Sequence, residues 1–314
     1  MSRQTWGDSV SDPQTVFVPA YAKINLTLAV LGKRPDGYHE LASVMQTIAL
    51  HDTLRIEVTT DGEITCTTDV SELQTPDNLA YRAALLLRAE GAISDLGARI
   101  ELRKAVPAQA GLGGGSSDAA SVLLALDRLW RLQIPRQRLE ELAAQLGSDV
   151  PFFISGGTAL VEGRGEVVTP LADAEPLWQI LVKPPISVPT VTAFRALTPA
   201  DYGTEEETQA LVEAIQRGDS LPFQSLTNSL ERSVFATYPE LREAAEALHA
   251  AGAPVVRMSG SGPTLYAPFR GLAAATEVRE AMRGSPYQTW LCHSVNRDLM
   301  QAAITGSHVG LPGK

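Results

Sequence analysis

An α+β fold divided between two domains is predicted by three observations. The chain, at 314 residues, exceeds what one hydrophobic core usually holds. Its first part opens on alternating, strand-like runs and reaches a glycine loop that feeds a helix. Its second part alternates helices with a few short strands, a pattern that suits an antiparallel sheet with helices packed on it. A proline-dotted segment beginning at residue 171 marks a boundary by composition, giving domains over 15–170 and 171–306 with polar, flexible tails over 1–14 and 307–314.

Val16 to Leu31 alternates, with Lys23, Asn25 and Thr27 on one strand face and Ile24, Leu26 and Leu28 on the other. The polar face either meets solvent, the usual place for charged side chains, or lines a site. KRPDGYH, residues 33–39, is a turn-rich loop that leaves Tyr38 and His39 at its exit, as packing or as a flat platform for a heteroaromatic ring. Leu41 to Leu50, Leu54 to Thr60 and Glu63 to Thr68 read as strands, and Asp61-Gly62 between the last two is a hairpin signal. Pro76-Asp77-Asn78 opens a helix running to Glu90, and Ala98 to Leu102 is a strand. Lys104 then stands just upstream of Pro107, either meeting a phosphate or solvated at a strand end.

The stretch PAQAGLGGGSSDAA organises the rest. Gly111, Gly113, Gly114 and Gly115 leave backbone N–H groups uncovered, Ser116, Ser117 and Asp118 offer N-cap side chains, and Ala119 to Trp130 is rich in helix formers. A glycine loop feeding a helix N-terminus is an anion cradle, because orphan N–H groups and the positive end of the helix dipole face one point. A P-loop needs a lysine after its last glycine, and a dinucleotide fingerprint needs a third glycine where Ser116 stands, so neither common phosphate motif fits.

Arg136 to Leu146 reads as an amphipathic helix stopped by Gly147. In GSDVPFF, residues 147–153, Pro151 biases Val150 toward extended conformations, so Asp149 rides on a turn, as a turn cap or a functional carboxylate. Gly156 to Val168 reads as a hairpin with Gly163 and Gly165 at its tip, and WQILVK as a strand. Helices follow at Thr190 to Leu197, Glu205 to Arg217, Asn228 to Ala236 and Pro239 to Ala251, and strands at Val255 to Met258, Pro263 to Phe269 and Gln288 to Val295. SGSG, Ser259 to Gly262, is a second small-residue loop.

The formal net charge of -10 argues against nucleic acid or an anionic membrane as partner, and any anionic substrate must be held by local positive groups. Cys66 and Cys292, far apart and in strand-like runs, point to free buried thiols in a reducing cytoplasm. The first fifteen residues lack an apolar signal core, and no run of about 18 apolar residues predicts a membrane span.

Three segments in order, AKINLTLAVLGKRPDGYHE, PAQAGLGGGSSDAA and RMSGSGPTLYA, together resemble the GHMP kinases. The first segment, with GSDVPFF, is similar to members that phosphorylate a cytidylylated polyol of isoprenoid precursor synthesis. The resemblance implies an N-terminal ATP-binding domain of the ribosomal protein S5 domain 2-like type and a C-terminal ferredoxin-like substrate domain. It implies ATP and Mg2+ as cofactors, a small-molecule substrate, and a monomer or weak homodimer. Lys23 and Asp149 match the family's catalytic pair, with Asp149 as general base. Pro107, Ala108, Gln109 and Ala110, then Gly111, Leu112, Gly113, Gly114, Gly115, Ser116 and Ser117, match its ATP-phosphate loop, and Lys104 a nucleotide-side contact. Asn25 matches a polar contact to the substrate; Tyr38, His39, Thr190 and Phe194 match the cytosine pocket. Ser117 is the implied magnesium ligand. Alternatives are a homoserine- or mevalonate-type kinase, or a nucleotide-binding regulatory protein that keeps the loop without the chemistry.

Overall fold

The computed structural model describes residues 15–306, so the two tails expected to be flexible lie outside the described residues. Strands β1 (Thr15–Lys33) and β2 (His39–Thr59) form a long antiparallel hairpin. β2 is continuous where the sequence suggests two strands. A register shift after Tyr21, which pairs with His51 while Ala22 pairs with Ile48, absorbs the break in its alternation.

From β3 (Ile64–Thr68) the chain crosses by helix α1 (Leu79–Glu90) to β4 (Gly97–Arg103), which pairs parallel with β3 and antiparallel with β2. Asp61-Gly62 is therefore not a hairpin turn: β4, with Ala98, Ile100 and Leu102 buried, takes the edge of β2 that a hairpin would need. Helices α2 (Gly114–Leu129), α3 (Arg136–Leu146) and α4 (Val150–Ser155) follow, then the hairpin β5 (Thr158–Gly163) and β6 (Val167–Pro170). In α4, Val150 is helical and not extended. Pro151 falls in the first turn, where its missing N–H leaves no hydrogen bond unmade.

The second half contains β7 (Trp178–Lys183), α5 (Thr190–Arg195), α6 (Glu206–Arg217), β8 (Thr227–Asn228), α7 (Glu231–Thr237), α8 (Pro239–Ala250), β9 (Arg257–Met258), β10 (Leu265–Phe269), α9 (Leu272–Ala281), β11 (Gln288–His293) and α10 (Arg297–Thr305). Its four-stranded sheet runs β11-β7-β10-β9 with every pairing antiparallel, the strand order of a split βαβ, ferredoxin-like unit. Helices α9 and α10 add to those the sequence pattern predicts.

Three apolar cores hold these layers. One lies between the first sheet and α1–α4, one between the four-stranded sheet and α7–α9, and one between the two sheets, where Ile24, Leu26 and Ile48 meet Leu181, Leu211 and Tyr266. The middle of β1 is thus covered on both faces, and Lys23, Asn25 and Thr27 are buried, which removes the solvent-facing alternative. Helix α10 returns to the first core. Met300 packs on Gly156, Arg297 donates to the carbonyls of Thr158 and Leu171 (both 3.0 Å), and Gln301 donates to the last carbonyls of α4 at Ile154 (2.9 Å) and Ser155 (3.2 Å). Both cysteines lie in strands as free thiols; Cys292 is buried, which pushes its thiol up to about 12, but Cys66, on the edge strand β3, is only half-buried, contrary to expectation. Among the described residues no helix is long and apolar enough to cross a membrane.

Candidate active site

A cavity of about 1150 Å³ opens where the start of α2, the β1–β2 hairpin, α5 and the Ser259–Gly262 loop converge. The glycine loop forms one wall. Gly113 adopts φ 71°, and this left-handed turn starts α2 at Gly114, earlier than Ser116 to Asp118, which lie inside the helix and do not cap it. Ser117 N–H makes the first intrahelical bond, to Gly113 O at 2.9 Å. The preceding N–H groups of Gly114, Gly115 and Ser116 lack an intrahelical acceptor, and all three residues line the cavity. Groups so placed at a helix start can hold an anion, and no side-chain cap occupies them.

The loop is pinned from below. Leu112 O accepts from Lys23 N–H (3.0 Å), and Gly111 O accepts from Ser259 Oγ (2.9 Å). At Gly111, φ is 74° and a Cβ would come within 2.1 Å of Ser259 O. Gly111→Ala should therefore destabilise the protein by about 1–3 kcal/mol or more, read as a lowered urea midpoint with an unchanged slope; an unchanged midpoint would mean the loop yields freely.

Against the glycine loop stands Lys23, 3% exposed. Its Nζ donates to Asn25 Oδ1 at 2.7 Å and lies 3.6 Å from Asp149 Oδ2. Asn25 Nδ2 in turn donates to Ser43 Oγ (2.8 Å), whose hydroxyl donates to Thr27 O (2.5 Å), so the lysine rests on a chain of buried polar partners. Asp149 precedes α4 on a turn, makes no capping bond with its side chain, and is 35% exposed toward the cavity. The structure thus joins an ammonium and a carboxylate from distant segments beside a helix N-terminus.

Lys104 also lines the cavity, but it is held by two buried carboxylates, Asp52 and Asp118 (2.7 Å to Asp118). Asp52 further accepts the N–H groups of Ala105 (2.6 Å) and Val106 (2.8 Å), which fixes the entry to the glycine loop. Burial pushes the Asp118 carboxyl up to about 7 against the pull of Lys104, with the charge of Asp52 adding to the push. Burial opposes the Lys104 charge, yet Asp118 and Asp52 hold its pKa above the usual lysine value.

Leu112 and Ser117 do not reach the cavity. Ser117 is fully buried and its hydroxyl has no protein partner. Among the described residues no group of three or more His, Cys, Asp or Glu side chains is arranged to hold a metal ion. A lone hydroxyl does not suit Mg2+, which takes six oxygens in near-octahedral geometry. The described residues therefore do not form a resident magnesium site.

At the far end, His39 and Phe194 pack with ring centroids 5.2 Å apart and Tyr202 edges His39 at 6.3 Å. Tyr38 is exposed, with the Arg164 guanidinium 4.9 Å above its ring. Thr190 Oγ1 lies 3.0 Å from Ser261 Oγ, tying α5 to the Ser259–Gly262 loop. Burial, with Lys33 nearby, lowers the His39 pKa, so the imidazole is neutral at neutral pH. The four residues expected around a cytosine, Tyr38, His39, Thr190 and Phe194, therefore border one cavity with Asn25 and with Tyr202 and Arg164, which sequence reasoning missed. Arg164 had a faint signal, being the charged residue between the hairpin-tip glycines; Asp52 and Tyr202 had none.

Comparison with known proteins agrees with this geometry. Residues 78–157 match the model of the GHMP kinases N terminal domain, and residues 211–288 that of the GHMP kinases C terminal. The 4-diphosphocytidyl-2-C-methyl-D-erythritol kinase of Pelotomaculum thermopropionicum is 46% identical over 88% of this chain and 97% of its own length. The enzyme of the same name from Brevibacillus brevis is 43% identical over 86% and 92%. A crystal structure of 4-(cytidine 5'-diphospho)-2C-methyl-D-erythritol kinase superposes with a TM-score of 0.77 at 39% identity, covering 89% of this chain and 99% of that one. Homoserine kinase from Cytophaga hutchinsonii shares the fold, with a TM-score of 0.72 at 20% identity over 95% and 99%. On the conserved extent of these matches, the chain belongs to the GHMP kinase family, among the 4-diphosphocytidyl-2-C-methyl-D-erythritol kinases.

Proposed function

We propose that this chain transfers the terminal phosphate of ATP to the 2-hydroxyl of 4-diphosphocytidyl-2-C-methyl-D-erythritol in isoprenoid precursor synthesis, in the cytoplasm. The observation that carries the reading is that one cavity holds a polyphosphate cradle, an aromatic end and, between them, Lys23 with Asp149 at 3.6 Å. In this reading Asp149 accepts the hydroxyl proton, the alcohol oxygen forms its bond to the γ-phosphorus, and the bond from that phosphorus to the β–γ bridging oxygen breaks, releasing ADP. Lys23 offsets charge on the transferred oxygens, and the N–H groups of Gly114, Gly115 and Ser116 hold the nucleotide's phosphates. Asn25 orients the alcohol. Any Mg2+ would supply offset of phosphate charge and would come with the nucleotide, since no cluster among the described residues is arranged to cage it. Neutral His39, with Tyr38, Thr190 and Phe194, receives the cytosine.

The test is ADP release by purified protein given ATP with the cytidylyl alcohol, homoserine or mevalonate. Turnover confined to the first is expected; equal or faster turnover of homoserine or mevalonate would overturn the reading, and ATP binding without turnover of any would favour a regulatory role. Stacking on an aromatic is worth about 1–3 kcal/mol per base, so Tyr38→Ala should raise KM for the cytidylyl alcohol roughly 5- to 150-fold and leave KM for ATP within about twofold. Equal effects on both would remove Tyr38 from the cytosine site.

A further inference from the structure

Between β9 and β10 the Ser259–Gly262 loop puts its second residue among the reacting groups. A Cβ on Gly260 would lie 3.3 Å from Lys23 Nζ, 3.3 Å from Gly111 O and 3.5 Å from Asn25 Oδ1. The Gly260 main chain is therefore wedged between the cavity's lysine and its glycine loop, and any drift of that main chain moves one relative to the other.

Strand β9 is only two residues long and pairs with β10 along one edge. Its other edge would leave the Met258 N–H and C=O unpaired, a substantial penalty in a buried position. Side chains from the end of β8 and the start of α7 replace the missing strand. Glu231 Oε1 accepts Met258 N–H at 2.7 Å, and Asn228 Nδ2 donates to Met258 O at 2.8 Å. The same Nδ2 donates its second hydrogen to Gly260 O at 2.8 Å, and Asn228 Oδ1 accepts Leu230 N–H at 2.9 Å. Both donors of the amide are engaged and its oxygen is taken, so neither aspartate nor alanine can substitute. Asn228 also sits opposite Leu28 on β1, the strand that carries Lys23 and Asn25. One residue links the lysine's strand to the loop that presses on the lysine.

We propose that Asn228 is a positioning residue for phosphoryl transfer, fixing the Gly260 main chain and thereby the placement of Lys23 against the glycine loop. The inference rests on reading the cavity as a kinase site. A reacting geometry displaced by about 1 Å lowers a rate by as much as 10²-fold. Asn228→Asp keeps the shape, removes both donors and sets a carboxylate against two carbonyls; Asn228→Ala leaves both carbonyls unmet.

The measurement is kcat per nucleotide-binding site, with sites counted by calorimetric titration with ADP, so that a misfolded fraction is not mistaken for slow chemistry. For both variants kcat per site should fall about 30- to 100-fold, with each KM within about threefold and one ADP site per chain retained. Ser229→Ala, on the same turn but bonded to Val30 N–H of β1, should stay within about twofold of the parent. A kcat per site within about threefold of the parent, or a loss accounted for by missing sites, overturns the proposal. A crystal structure of Asn228→Asp should show Gly260 displaced relative to Lys23, and an unmoved Gly260 also overturns it. If the parent protein does not phosphorylate the cytidylyl alcohol, the functional reading falls, while this structural comparison still decides whether Asn228 fixes Gly260.

Discussion

Asp149→Asn is expected to lower the transfer rate by about 10²- to 10⁴-fold while affinity for ADP stays within about threefold. The amide has nearly the same volume and keeps an oxygen toward Lys23, but it accepts no proton from an alcohol. Nucleotide binding should persist because the cradle is made of main-chain N–H groups at the start of α2, whereas Asp149 belongs to the separate turn before α4. Single-turnover kinetics with calorimetry on the same preparation check both halves. Retention of more than about half the parent rate would remove Asp149 from the role of base.

Lys23→Met is expected to have an effect of similar size, about 10²- to 10⁴-fold on kcat, because a buried ammonium aimed at the reacting centre acts where water does not screen it. Methionine preserves the stem and packing, so the change isolates the charge. It also strips Asn25 Oδ1 of its 2.7 Å donor, which should raise KM for the alcohol substrate modestly. The double variant with Asp149→Asn should be little slower than either single one, since two groups acting on one proton and one phosphoryl group behave as a unit. Multiplicative losses in that cycle would show two independent contributions.

The glycine loop was legible because its demand is local: consecutive small residues before a helix can be read without knowing the fold. Its starting point was not, since Ser116, Ser117 and Asp118 look like better caps than Gly113 until the left-handed turn is seen. Lys23 and Asp149 illustrate the opposite limit. Spacing placed the first on a polar strand face and the second on a turn, and only the covering of β1 on both faces brings them together. Asp52 left no trace in the sequence, because a carboxylate bonded to two backbone N–H groups and a lysine reads like any surface aspartate. The false hairpin at Asp61-Gly62 failed for a related reason: a turn signal says that the chain bends, and the long-range competition for the edge of β2 decides what it bends toward.

Helix α10 braces the carbonyl end of α4, whose opposite end follows directly on Asp149. Ribosomes build proteins from the amino end, so this brace emerges after every other described element. A nascent polypeptide therefore completes the packing behind both α2, which carries the nucleotide wall, and the base-bearing turn only when synthesis is nearly finished. Premature termination just upstream of Arg297 would accordingly leave the first core open where Met300 and Ile304 belong, with both walls of the cavity lacking their support.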